Sequence, residues 1–145
     1  MKKYKQIIIP ETSTTEWKGL TIPQIRNKML SDYKSRYTGV SVINKDLGIK
    51  VEFETGGAKK TSHGGSVSVK KASLLPVLDE LVRYAEYNNY GGRKDSDAPN
   101  IVGFLNFKAK VKIDAKVENV HLVVRIKNDG KFHYFLYLNR KAGNK

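Results

Sequence analysis

Cysteine is missing from this chain of 145 residues. Without thiols there is no disulfide framework, no zinc-finger spacing and no thiol nucleophile. Long hydrophobic runs are missing near the start as well, where the apolar stretch of residues 7–9 stops at Pro10. Such a stretch is far too short for a signal-peptide core or a membrane-spanning segment. We therefore expect a domain without membrane contact that acts in the cytoplasm, either alone or as part of a larger exported protein.

Acidic residues are scarce relative to basic ones. The chain has 14 Asp and Glu against 27 Lys and Arg, which gives a formal net charge of +13. The surplus is spread from Lys2 to Lys145 and is not collected in one tail. Such an excess attracts polyanions, so nucleic acid is the first expected partner, and an anionic membrane or an acidic protein is the second.

The N-terminal part of the chain is predicted to be mainly helical. Residues 1–20 form an arm, which Trp17 is expected to anchor. A first helix is predicted to begin at Thr21, with Pro23 in its first turn, and to end at Gly39. Its apolar residues recur at spacings of three and four: Ile22, Ile25, Met29, Tyr33 and Tyr37.

A short pair of strands and a second helix are predicted next. Residues 40–43 and 49–53 are apolar runs on either side of a turn-rich linker, and residues 54–68 are glycine-rich and loop-like. Ser73 is a suitable cap for a second, leucine-rich helix with Pro76 in its first turn. Residues 88–100 are rich in Gly, Asn, Asp and Pro, which predicts a flexible loop.

The C-terminal part has the pattern of β-strands. Between residues 107 and 113, apolar residues alternate with three lysines, which is the period of a strand. Residues 120–127 and 131–139 flank an Asn-Asp-Gly turn and predict a hairpin. The expected fold is α+β, with N-terminal helices packed on a C-terminal antiparallel β-sheet. The single domain, residues 1–145, divides into the arm at 1–20, a mainly helical part with a short β pair at 21–103, and the sheet at 104–139.

The register of this hairpin decides which side chains share a face. A two-residue Asp-Gly turn would place Ile126 opposite His133 and mix apolar with polar side chains. A three-residue loop, with Gly130 in the left-handed conformation, instead places Ile126 opposite Phe132. We predict this second register. The polar pairs that it creates on the other face are Arg125 with His133 and His121 with Tyr137.

The polar face of the hairpin suggests a chemistry. Histidine, arginine, lysine and tyrosine suit cleavage of RNA by its own 2′-hydroxyl group. One group takes the 2′-proton, another protonates the leaving 5′-oxygen, and cations stabilise the phosphorane. No cluster of carboxylates accompanies the three histidines, so neither a metal ion nor another cofactor is expected. The residues alone also fit an ordinary exposed polar face, and this alternative stays open.

Residues 39–138 resemble a phage-associated member of the barnase/EndoU/colicin/RelE-like nuclease superfamily. The resemblance rests on GVSVINKDLGIKVEF, on GGAKKTSH, on the leucine-rich helix and on VVRIKNDGKFHYFLYL. Such domains occur in large polyvalent phage proteins and in polymorphic toxins. The resemblance implies a barnase/RelE-like fold and metal-independent RNA cleavage on the concave face of the sheet. The superfamily's loop histidine corresponds to His63, preceded by Lys60 and Ser62, and its strand positions correspond to Arg125, His133 and Tyr137.

The residues next to His63 in the sequence also favour a catalytic role for it. Gly64 and Gly65 permit a close backbone approach, and the lysines before it could hold a phosphate. We expect His63 and His133 to be the acid–base pair. The other expected catalytic residues are Arg125 and Lys60, which stabilise phosphate charge, and Tyr137, which positions the phosphate or donates a proton. The expected nucleic-acid contacts are Lys59, Ser62, Lys70, Lys71, Arg93, Lys108, Lys110, Lys112, His121 and Lys127.

The leading functional hypothesis is a metal-independent endoribonuclease, acting as a toxin or phage effector domain. Its partners would be RNA and a cognate acidic immunity protein. One alternative is a non-catalytic nucleic-acid-binding or inhibitor protein of phage origin that uses the same cationic face. Another is an adaptor that docks an acidic protein.

Overall fold

The computed structural model of the protein describes residues 9–53, 68–92 and 101–137, with side chains up to residue 132. Its helices are α1 (Ile22–Tyr37), α2 (Val69–Ser73) and α3 (Leu78–Tyr84), and 3-10 turns occupy Thr15–Trp17 and Leu75–Val77. Its strands are β1 (Glu11–Thr12), β2 (Ser41–Ile43), β3 (Lys50–Glu52), β4 (Glu86–Gly92), β5 (Ile101–Ile113), β6 (Lys116–Lys127) and β7 (Phe132–Tyr137). None of the described helices is long and apolar enough to cross a lipid bilayer.

The strands form one mixed sheet in the order β1-β5-β6-β7-β3-β2, and β4 joins the same edge of β5 as β1. β5, β6 and β7 are antiparallel to one another, as predicted. β2 and β3 form the predicted short antiparallel pair. Two parallel pairings, β1 with β5 and β3 with β7, tie the N-terminal segments to the C-terminal meander. The predicted α+β class is confirmed.

Helix α1 begins where the sequence predicts. The hydroxyl of Thr21 accepts a hydrogen bond from the Gln24 backbone N–H at 3.3 Å, and the Gln24 side chain accepts one from the Thr21 N–H at 2.9 Å. This reciprocal capping box satisfies two N–H groups that have no partner within the helix. The predicted stripe is buried at Ile25, Met29, Tyr33 and Tyr37, while Ile22 is exposed. Gly39 follows the helix with a φ of +83°, a conformation that glycine adopts without strain.

The predicted start of the second helix was wrong. The cap is Ser68, whose hydroxyl accepts a hydrogen bond from the Lys71 N–H at 3.1 Å, so α2 begins before the expected position. Ser73 is the last residue of α2, and its hydroxyl donates to the Lys70 carbonyl at 2.7 Å. Pro76 has no N–H for a helical hydrogen bond and restricts the residue before it. The chain therefore makes a 3-10 turn at Leu75–Val77 before α3 begins.

The predicted loop at residues 88–100 was wrong for its first part. Residues 88–92 belong to β4, which pairs with β5 from Glu86 opposite Lys108 to Gly92 opposite Gly103. The register shifts between Tyr87 and Asn89, as in a β-bulge, which edge strands tolerate. The pairing partners are residues 103–108 of β5, which overlap only the start of the alternating segment at 107–113. Residues 93–100 lie outside the described residues.

Two tight turns set the register of the C-terminal meander. Asp114 and Ala115 join β5 to β6 with φ of 51° and 69°, which are the left-handed values of a type I′ hairpin turn. β6 consequently begins at Lys116, earlier than expected. Between β6 and β7, the Gly130 N–H donates to the Lys127 carbonyl, and Gly130 has a φ of +83°. This is the predicted three-residue loop, and the predicted pairings of Ile126 with Phe132, Arg125 with His133 and His121 with Tyr137 are confirmed.

The core lies between the helices and one side of the sheet. Phe107, Val111, Leu122 and Val124 on the sheet are buried in one cluster with residues of α1 and α3. Trp17 in the arm is fully buried in the same cluster, which confirms its role as an anchor. The opposite side of the sheet carries exposed and half-buried side chains and is called the open face here. Its central members are Phe104, Asn106, Lys108, Lys110, Lys112, Asn119, His121, Val123 and Arg125.

Candidate nucleic-acid interface

The open face brings predicted site residues from three strands together. Across β4, β5, β6 and β7, one row contains Glu86, Lys108, His121 and Tyr137, and is called the His121 row. The other contains Phe104, Arg125 and His133 and continues to Glu52 on β3; it is called the Arg125 row. Because neighbouring strands are about 5 Å apart, the residues of a row are cross-strand neighbours on one face of the sheet.

The two rows are separate positions on the face. His121 and Arg125 are four residues apart on β6, which corresponds to about 13 Å along a strand. The same spacing separates Tyr137 from His133 on β7. The backbone register therefore assigns Arg125 and His133 to one position of the face and His121 and Tyr137 to the other.

His121 is held by a hydrogen-bonded chain of amides. Its Nε2 lies 3.1 Å from Oδ1 of Asn106, and Nδ2 of Asn106 donates to Oδ1 of Asn89 at 2.9 Å. The imidazole is half-buried, and this burial lowers the pKa of His121 below its ordinary 6.5 because desolvation disfavours the charged form. The neutral ring therefore predominates at neutral pH.

The lysines of β5 form a line along the open face. Lys108 and Lys110 are exposed and Lys112 is half-buried. Alternate residues of a strand point the same way, so the three lysines leave the backbone on one face at steps of about 7 Å. A chain of phosphates can contact such a line at several points. Lys127, at the end of β6, is half-buried and opposite Ile101.

Two of the predicted nucleic-acid contacts lie elsewhere. Lys70 on α2 forms an ion pair with Glu118 at 3.0 Å, and Glu118 is opposite the core residue Val111. Lys71 is only 3% exposed, and desolvation lowers its pKa. Both lysines were expected just before a helix, but they belong to α2. The prediction that Lys71 contacts nucleic acid was wrong, because its side chain is in the protein interior. Lys70 lies away from the open face, where it pairs with Glu118.

Several predicted site residues lie outside the described residues: His63, Lys59, Lys60, Ser62 and Arg93. His133 and Tyr137 are located by the backbone register of β7 alone. Within the described residues, no group of three or more His, Asp or Glu side chains could hold a metal ion.

Sequence reasoning missed Asn89 and Asn106, the residues that orient His121. Asn106 precedes the alternating segment of β5, and Asn89 was assigned to a loop because it is among glycines and asparagines. The sequence gives little indication that these two asparagines are neighbours. They become neighbours only when β4 pairs with β5 in the shifted register that sets Asn89 opposite Asn106.

A family model described as large polyvalent protein-associated domain 3 matches residues 21–134. The match begins at the cap of α1 and ends within β7, so it includes α1, α2 and α3, the whole Arg125 row, and the His121 row except Tyr137. No curated protein and no solved structure matches the chain.

Proposed function

We propose that this chain, which belongs to the large polyvalent protein-associated domain 3 family, binds RNA on its open face and cleaves it without a metal ion. The family's association with large polyvalent proteins agrees with the phage-associated setting suggested by the sequence. The observation that carries the proposal is the open face itself. In a chain of net charge +13, it combines three lysines of β5 with the Arg125 and His121 rows.

The reaction needs no group beyond those of protein and RNA. The 2′-oxygen attacks the adjacent phosphorus as a base removes its proton, and the bond to the 5′-oxygen breaks as an acid protonates that oxygen. The products are a 2′,3′-cyclic phosphate and a free 5′-hydroxyl group. Cations near the phosphate stabilise the charge that develops on its oxygens.

The residue roles follow the sequence hypothesis. His63 and His133 are the proposed acid–base pair, and Arg125 and Lys60 the proposed cations. The backbone pairing of Arg125 with His133 supports this part of the proposal, because residues directly opposite each other on paired strands lie on the same face of the sheet. Tyr137, in the His121 row, would contact the RNA next to the reacting phosphate.

Incubation of the purified chain with RNA in EDTA tests the proposal. We expect fragments that end in 2′,3′-cyclic phosphate, and a bell-shaped dependence of rate on pH if two groups act in opposite protonation states. His63→Ala should lower turnover by about a hundredfold or more with RNA binding and melting temperature unchanged. Lys34→Gln, on the exposed side of α1, is the control and should cleave normally.

A second candidate is RNA binding without cleavage. It is favoured by the engagement of His121 with Asn106, since one of the three histidines then has a hydrogen-bonding role within the sheet. Intact RNA that binds tightly in EDTA would support this function and reject cleavage. Failure to bind RNA would reject both and direct attention to an acidic protein, such as an immunity protein, as the partner of the cationic face.

A further inference from the structure

Two exposed aromatic side chains lie on β4. Tyr87 is 36% exposed and Tyr90 is 55% exposed. Their partners on β5 are Phe107 and Leu105, which are both buried in the core. Residues directly opposite each other on paired strands share a side of the sheet, so the two tyrosines are on the core side and not on the open face. They are called the tyrosine pair here.

The β-bulge in β4 puts both tyrosines on the same side of the sheet. Residues three apart in a regular strand point to opposite sides. The register shift between Tyr87 and Asn89 adds one residue to β4, so Tyr90 is opposite Leu105 while Tyr87 is opposite Phe107. The tyrosine pair therefore has the spacing of alternate strand residues, about 7 Å.

Both rings are held in place by contacts with β5. The centre of the Tyr87 ring is 5.9 Å from that of Phe107, and the two ring planes are inclined by 71°. The Tyr90 ring packs over the backbone of Gly103, and its hydroxyl donates to the Val102 carbonyl at 3.2 Å. A ligand that stacks on rings already fixed in this way loses little affinity to the ordering of side chains.

The β2–β3 turn adds a cation beside the start of β4. Lys45 is exposed in this turn, and its Nζ is 5.8 Å from the centre of the Tyr84 ring. The carboxylate of the next residue, Asp46, accepts a hydrogen bond from the Tyr87 N–H at 2.8 Å, and the carboxylate of Glu86 belongs to the open face. In a chain of net charge +13, exposed aromatic rings next to a cation suit an anionic ligand that carries flat rings.

We propose that the tyrosine pair is a stacking site for two unpaired bases of a single-stranded nucleic acid, with one base on each ring. Stacked bases are about 3.4 Å apart, which is half the separation of the tyrosines. Two successive bases therefore reach both rings only when they are unstacked from each other, as the bases of a duplex are not. Every base has a flat face, so the site tolerates any sequence. The inference rests on the proposed function only for the class of ligand, because the tyrosine pair and the two rows are on opposite sides of the sheet.

The first experiment uses the wild-type chain. The probe is a single-stranded 2′-O-methyl RNA of about ten nucleotides, a length within the range of single-strand sites, and it has no free 2′-hydroxyl for the proposed cleavage. Carbon-13 NMR of labelled tyrosine should show ring-current shifts of Tyr87 and Tyr90 when this probe binds. An abasic strand of the same length keeps the phosphates and should leave both signals in place. Tyrosine signals that stay unshifted while the base-containing probe binds overturn the inference.

The second experiment compares variants by fluorescence anisotropy. Tyr87→Leu and Tyr90→Leu keep an apolar side chain without an aromatic face, and each should weaken binding of the 2′-O-methyl RNA about fivefold or more. Their affinity for the abasic strand and the slope of log K against log salt should not change, because no phosphate contact is lost. Tyr90→Phe keeps the ring and should bind like wild type. Ile22→Ala, which removes an apolar side chain of α1 that is 44% exposed, is the second control and should also bind normally.

The outcomes separate this inference from the proposed function. Base-dependent binding that Tyr87→Leu abolishes, in a chain that cleaves no RNA, establishes the stacking site and rejects the nuclease. Cleavage of RNA by a chain that binds the abasic and base-containing strands alike rejects the stacking site alone. Leucine variants that lose affinity for both strands equally would show that the tyrosines only support the fold, which rejects the inference. Binding of no nucleic acid rejects both.

Discussion

Asn44 shows how one buried residue supports the geometry of the whole sheet. Its Nδ2 donates to the carbonyl oxygens of Val82 and Ala85 at 2.8 and 3.0 Å, and its Oδ1 accepts from the Leu47 N–H at 2.9 Å. Val82 is in the last turn of α3, where carbonyl groups have no partner within the helix. The amide therefore joins the β2–β3 turn to the end of α3, and β3 is thereby held in position to extend the Arg125 row.

Asp114 makes a comparable link between the N-terminal arm and the β5–β6 turn. Its carboxylate accepts hydrogen bonds from the Thr14 N–H at 3.0 Å and from the Thr14 hydroxyl at 2.6 Å. These bonds favour the charged carboxylate and lower the pKa of Asp114 below 3.8. A lowered folded-state pKa contributes stability above pH 3.8 that is lost as the pH falls through the folded-state value.

We therefore predict that Asp114→Asn destabilises the protein at pH 7 and that the difference from wild type closes as the pH falls below about 4. Asparagine also adopts the left-handed conformation of this position, so the turn itself is retained. Urea denaturation at a series of pH values measures the difference. Thr14→Val, which removes the hydroxyl donor, should shrink the effect of Asp114→Asn. A difference that is constant from pH 7 to pH 2.5 would contradict the link.

At the scale of elements, β4 shows how an edge strand is fixed by a single aromatic ring. Tyr90 donates its hydroxyl to the Val102 carbonyl at 3.2 Å, and its ring crosses the backbone of Gly103. A Cβ atom added at Gly103 would come within 2.7 Å of two ring carbons. Because Gly103 has no side chain, the Tyr90 ring has room to pack over it. Aromatic residues cover glycines on neighbouring strands in this way in other β-sheets.

Gly103→Ala should displace the Tyr90 ring and lower the free energy of unfolding by about 1 kcal/mol, as overpacking does. In a Tyr90→Ala background the same substitution should be neutral or stabilising, because alanine costs less backbone entropy in a strand than glycine. A double-mutant cycle by chemical denaturation measures the coupling between the two positions. Additive effects would mean that the ring does not depend on Gly103.

The same strands show which parts of the fold could be predicted from the sequence. The β6–β7 register was predictable because a shift by one residue would have put His133 opposite Ile126 and mixed the two faces. β4 was not predictable, since Asn89 and Gly91 have low strand propensity and the strand depends on the length of β5 for its partners. The cap at Ser68 was missed because Ser73 is an equally good cap by residue type, and only the contacts of α2 distinguish them.

At the scale of the whole molecule, folding sorts the basic residues into different environments. Lys71 is inside the protein and Lys70 is neutralised by Glu118, whereas Lys108 and Lys110 extend into solvent from the open face. The sequence contains all four in lysine-rich segments and does not distinguish them. The candidate site was predictable where strand alternation assigns a face, and not where helix packing or pairing with β4 decides the surroundings of a side chain.

This sorting leads to a test of whether RNA recognises the open face or only the net charge. Lys108→Gln with Lys110→Gln should reduce the magnitude of the slope of log K against log salt by about 1.4 for single-stranded RNA, since each phosphate contact contributes about 0.7. Lys34→Gln with Arg36→Gln removes the same charge from the exposed side of α1, which packs on the other side of the sheet, and should leave the slope nearly unchanged. Fluorescence anisotropy over a range of salt concentrations measures both slopes. Equal changes in the two double variants would mean that the net charge of +13 attracts RNA without a dedicated face, because every lost cation would then count alike wherever it lies.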